Sequence, residues 1–209
     1  MNNDNKEEDE DVIIKFVKSI YDDDEFIKAK NIMALSLELY DIEFHANRYP
    51  LGLYYHIKIV ALLYYITENA NDDIYNAIIK YIKKTLPYES CVFYLNIVDR
   101  ISYESKMLDK QTDFLGVLTE SGIFIRDIVS DADKIIWINH EKLIGLAKVK
   151  YKLSNSVEEK ELFACVDKLI TEKIKDIYKY IRTKAAKKIT IHKRSELYIT
   201  HEDWRKKLI

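Results

Sequence analysis

The chain has 209 residues, 48% hydrophobic and 33% charged, with a formal net charge of −2, a length that suits one domain with a full core and a balance too apolar for a disordered protein. Only 4 Gly and 2 Pro supply sharp turns, which excludes a hairpin-rich β architecture and leaves an all-α one. The 2 Cys, Cys91 and Cys165, have no CxxC or Cys/His spacing, and no apolar run reaches the roughly 18 residues of a membrane span or makes a signal-peptide core; the expectation is an intracellular, cytoplasmic protein with reduced thiols.

In chain order, residues 1–11 carry six acids against Lys6 and read as an acidic, disordered leader. A short amphipathic helix follows over 12–21, with Val12, Phe16, Val17 and Ile20 on one face. After Asp22, Asp23 and Asp24, a long helix to about residue 44 carries Phe26, Ile27, Met33, Leu35, Leu37 and Leu39 over a wide apolar arc. Pro50 and Gly52 mark a turn. The next helix, 53–67, is apolar all round from Ile57 to Ile66 except at Lys58, the pattern of a central helix. Helices over 74–85 and 89–103 are punctuated by Pro87. Residues 104–119 read as a long loop. Helices over 123–137 and 141–151 are separated at Asn139, an N-cap candidate with Glu141 in the first turn. A single long helix is expected over 157–186, and 200–209, with Trp204, is set apart as a tail. A globular body over 12–199 is expected.

Charge is uneven: residues 168–209 hold thirteen Lys/Arg against five Asp/Glu, a net of +8 that leaves −10 for the rest. A basic C-terminal third suits a nucleotide, nucleic acid or acidic partner, with Lys184, Lys187, Lys188, Lys193 and Arg194 as the anion-binding candidates, though such a run also describes a solvated helix face. Frequent Ile, Lys and Asn, with 16 Tyr, point to an A/T-rich coding sequence, as in large DNA viruses or parasites.

Two segments carry a family resemblance. Ile128-Val129-Ser130-Asp131-Ala132-Asp133-Lys134-Ile135 is similar to the DAD(R/K)L segment of the small HD-domain phosphohydrolases, and Ile181-Arg182-Thr183-Lys184-Ala185-Ala186-Lys187-Lys188 resembles that family's terminal T-x-x-A-(K/R)-(K/R) helix. In order and spacing the likeness spans about 12–199. It implies a single-domain helical bundle of HD-domain type, in which ligands ordered His, His-Asp, Asp hold a divalent ion that polarises a phosphoryl group or activates water.

Most of those ligands are missing here. Phe26 and Ile27 stand where the resemblance places the first His, Tyr64 and Tyr65 where it places the His-Asp pair, and Tyr103 where a further His is common. Asp133 is the remnant ligand that the resemblance implies, with Asp131 as the alternative. The string from Ser130 to Asp133 also reads as a helix capping box in which Asp133 supports an N-terminus. His45, His56, His140, His192 and His201 are each expected to be surface or structural histidines; His140 shares the Asp133 face only if no break occurs at Asn139. No GxxxxGK[ST], GxSxG or GxGxxG is present.

The expectation is therefore a catalytically inactive HD-like pseudoenzyme that binds a nucleotide or macromolecular partner, with no cofactor. The alternatives are an active phosphohydrolase using Mn, Fe, Ni or Mg on unorthodox ligands, and a helical interaction protein with a basic C-terminal face. Oligomeric state is not legible.

Overall fold

Helix is the only regular structure among the described residues of the computed structural model, which are 14–20, 23–47, 52–69, 72–106, 118–154 and 156–208. In chain order the helices are α1 (14–20), α2 (Asp23–Asn47), α3 (Leu53–Asn69), α4 (Asp72–Thr85), α5 (Tyr88–Lys106), α6 (Glu120–Ile136), α7 (His140–Lys150), α8 (Glu159–Leu169) and α9 (Lys184–Lys207). The all-α expectation holds. The acidic leader, the turn at Pro50 and most of the loop expected over 104–119 lie outside the described residues. Among the described residues no helix is long and apolar enough to cross a membrane. Contacts group the chain into two compact units, Met1–Ala132 and Asp133–Ile209.

In the first unit α3 packs against α2, α4 and α5. Its segment from Ile59 to Tyr64 is no more than 2% exposed at any position, as a helix apolar on every side requires. The α2 seam is narrower than its hydrophobic content suggests. Phe26, Ala29, Ile32, Ser36, Leu39, Tyr40 and Glu43 are buried, a spacing of three and four that defines one face. Ile27, one residue and about 100° away from Phe26, is 53% exposed. Pro87 ends α4 and starts α5, its carbonyl accepting from the Cys91 amide at 3.0 Å. Cys91 is buried, and its thiol faces the Ile82 and Leu86 carbonyls at 3.2 and 3.4 Å. Burial pushes that thiol's pKa up, so it behaves as a small core side chain.

In the second unit Asn139 caps α7 as expected, its Oδ1 accepting from the Lys142 amide at 3.1 Å. The long helix expected over 157–186 is broken. α8 ends at Leu169, a π-helical turn spans Ile170–Ile174, a 3₁₀ turn spans Ile177–Tyr180, and Ile181 is extended with φ −82° and ψ 129°. The wider π turn lets Ile170, Ile174 and Ile177 all enter a core with Leu143, Val166 and Leu197. A new helix then starts with Thr183 as N-cap, Oγ1 accepting from the Ala186 amide at 3.3 Å, and it includes 200–207, set apart above as a tail.

Candidate functional site

The positions at which the sequence resemblance expects metal ligands fall into different environments. Phe26 is 9% exposed and Tyr64 and Tyr65 are 2% and 8% exposed, on the packed pair α2 and α3, whereas Ile27 is turned outward. Tyr103 belongs to α5, but its side chain lies outside the described residues. Asp131 and Asp133 lie toward the C-terminal end of α6, so the capping-box reading of 130–133 is corrected: the helix begins at Glu120, where Thr119 Oγ1 accepts from the Gly122 amide at 3.1 Å. Two residues apart on a helix means about 200°. Accordingly Asp131 is 0% exposed in the first unit, while Asp133 is half-buried and opens the second. Among the described residues no three His, Cys, Asp or Glu side chains are gathered as a metal site.

The basic candidates are all on or beside one helix but not on one face. Helical geometry puts Lys184, Lys187 and Lys188 within an arc of about 100°, at the N-terminal end of α9, where no acidic residue occupies the first turn. Lys193 is on the opposite side. Lys184 and Lys188 are exposed and Lys187 half-buried, and none of the three makes an ion pair with a described residue. Three cations at the positive end of a helix macrodipole repel it. Nearby, the guanidinium of Arg194 lies 5.8 Å from the Tyr198 ring centroid. Arg194 Nε and Thr190 Oγ1, one turn apart, are buried with no hydrogen-bond partner among the described residues. Farther along, Arg205 pairs with Glu202 at 3.4 Å and Lys206 with Asp203 at 3.1 Å.

The other side of α9 carries a cluster that the sequence does not advertise. A cleft of about 510 Å³ is lined by Ile138, Asn139, His140, Glu141, Lys193, Glu196, Leu197 and Thr200. Behind its His140 wall stands His201, only 7% exposed. Its Nε2 is 3.2 Å from Asp167 Oδ1 and its Nδ1 is 3.4 Å from His140 Nε2. A carboxylate only accepts, so His201 Nε2–H donates to Asp167 and, in the neutral ring, Nδ1 carries the lone pair. The ring is fixed by stacking on Phe163, centroids 4.4 Å apart and 2° from parallel, and Trp204 stands edge-on to His140 at 5.2 Å while donating Nε1–H to Glu159 at 2.7 Å. Burial first, and the neighbouring His201 second, push the His140 pKa down, which keeps that imidazole neutral at pH 7.

The other histidines match expectation: His45 is exposed at the end of α2, His56 is satisfied by the Tyr94 hydroxyl at 2.8 Å, and exposed His192 pairs with Glu196 at 3.2 Å. His201 departs from a place in a basic tail. A usable signal was the spacing of Glu159, Phe163 and Asp167, each four residues on, and of His201 and Trp204, three apart, which puts each set on one helix face. Compared with known proteins, the chain matches no family model, no curated protein and no solved structure.

Proposed function

We propose that this protein is a non-hydrolysing, HD-like helical protein that acts by binding a phosphate-bearing ligand, with Lys184, Lys187 and Lys188 as the primary contacts and Arg194 beside them. The observation that carries this is the concentration, at the N-terminal end of α9, of cations that make no ion pair with a described residue, on a helix whose later Arg205 and Lys206 are paired within one turn. Cations left opposed to a helix dipole lower stability by about 0.3–1 kcal/mol each. An anion brought there removes that repulsion and gains charge-assisted contacts. The HD-like descent draws support from the all-helical architecture and from the burial of Tyr64 and Tyr65 at positions where the resemblance expects ligands.

The test is fluorescence anisotropy with labelled single-stranded oligonucleotide and with a labelled nucleoside triphosphate at 50 and 200 mM salt. Binding should weaken with salt, because phosphate contacts release counterions. The K184Q/K187Q/K188Q variant should bind about 10- to 150-fold more weakly, at roughly 0.5–1 kcal/mol for each of the three contacts, while its fold is unchanged or slightly more stable. Affinity for both probes indifferent to salt and to these changes would refute phosphate recognition. Divalent-metal-dependent hydrolysis of nucleotides, abolished by Asp131→Ala or Asp133→Ala, would refute the non-hydrolysing half.

A further inference from the structure

Independently of the basic end of α9, the second unit brings two imidazole nitrogens from distant parts of the chain face to face. His140 opens α7 and His201 lies on α9, and their Nε2 and Nδ1 atoms are 3.4 Å apart. At that separation the contact is a long, weak N–H···N hydrogen bond, beyond the roughly 2.7–3.2 Å range of protein N–H···O bonds. Two nitrogens bound to one tetrahedral ion at about 2.0–2.1 Å stand about 3.3–3.4 Å apart, which is the separation found. We propose that His140 Nε2 and His201 Nδ1 form an open, two-imidazole site for a borderline divalent transition ion of the Zn2+, Ni2+ or Cu2+ type.

The surroundings fit that chemistry. The second nitrogen of His201 donates to Asp167, the carboxylate–histidine arrangement that fixes the tautomer of a metal-binding imidazole and raises its basicity. Phe163 stacks flat on the ring and Trp204 packs edge-on against His140, so both rings are held before an ion arrives. To bind, His140 moves its ring proton from Nε2 to Nδ1 and the ion takes the place between the two nitrogens. No third ligating side chain joins them among the described residues. The remaining coordination positions therefore belong to water or a small ligand entering from the cleft that His140 lines together with Glu141, Lys193 and Glu196. Open positions are the mark of a labile or reactive centre, as opposed to a structural one. Imidazole donors select Zn, Ni and Cu over Mg and Ca, with Cu2+ the tightest.

The experiment is titration of the tag-free full chain with Zn2+, Ni2+, Cu2+ and Mg2+, read by thermal shift and by the nitrogen hyperfine pattern of bound Cu2+. The wild type should gain thermal stability with the first three ions and none with Mg2+, and Cu2+ should show two nitrogen donors. His140→Gln, half-buried and expected to fold, should remove the two-nitrogen signature. Asp167→Asn should weaken affinity about 10- to 100-fold, and His192→Gln should change nothing. Absence of Zn2+ and Cu2+ binding, binding undiminished in His140→Gln, or binding lost in His192→Gln would leave a simple histidine–histidine contact and overturn the proposal.

Discussion

The two units bury their ionisable groups differently. In the first, Asp131 is fully enclosed within α6 and Tyr64 within α3, so that neither side chain is offered to solvent. In the second, the buried His201 is one contact away from His140, which lines an open cleft. A group closed off on every side chiefly serves stability, whereas one linked to a cleft by a partner can exchange protons or ligands. The resemblance to HD phosphohydrolases directs attention to the first unit. The imidazole pair beside a cleft lies in the second.

The largest effect that sharpens this contrast belongs to the first unit's packing. Leu63 is 0% exposed on α3; Leu63→Ala should cost about 2–5 kcal/mol by lost transfer energy and the cavity left behind. Urea denaturation checks it, and a loss below about 1 kcal/mol would break the picture of a closed interior. Next, Asp131→Ala should cost about 1–3 kcal/mol, since truncating a buried polar group strands whatever it contacts. Asp133→Ala, at a half-buried position, should cost less than about 1 kcal/mol. Equal losses would show that the opposite faces of α6 do not govern the two carboxylates.

That pair also marks how far sequence could be read. Features fixed by local chemistry were legible: Pro87 between α4 and α5, Asn139 capping α7, and the all-round apolar α3. Which of Asp131 and Asp133 is the more buried was not, because that depends on which side of α6 is covered. Neither was the break between α8 and α9. It contains no Gly or Pro; the interruption is a π turn and an extended Ile181 that is 2% exposed, so burial of isoleucines overrides a continuous helical pattern. Without that break 200–209 reads as a tail, and although the spacing of Glu159, Phe163 and Asp167 and of His201 and Trp204 marks two helix faces, nothing local joins them to His140, sixty-one residues from His201 in sequence.

A smaller effect tests the cleft side. The folded His140 pKa lies below the ordinary imidazole value of about 6.5, from burial and then from His201, with Glu141 opposing. The unfolded chain therefore binds the proton more readily. Stability should fall as pH drops through about 6.5 and level off once pH passes below the folded value. His140→Gln should flatten this window in metal-free buffer. A wild-type profile that rises on acidification there would reverse the assignment of His140 as the neutral partner.

The smallest expected effect is at the end of α7. Leu153 donates its amide to the Lys148 carbonyl at 2.9 Å and Lys152 donates to the Val149 carbonyl at 3.3 Å, the paired closure of a helix whose first residue past the cap turns left-handed. That residue is Lys152, with φ 52°, where a Cβ is disfavoured by about 1 kcal/mol. Glycine removes this strain but gains freedom in the unfolded chain, an opposing effect of about 0.4–1 kcal/mol. Lys152→Gly should therefore stabilise by no more than about 0.5 kcal/mol, seen as a higher denaturation midpoint at constant slope, and Lys152→Ala should give no gain. Because Lys152 has no part in the histidine cluster, Cu2+ coordination by the glycine variant should match the wild type; an altered nitrogen signature would mean that the α7 terminus positions His140 from ten residues away.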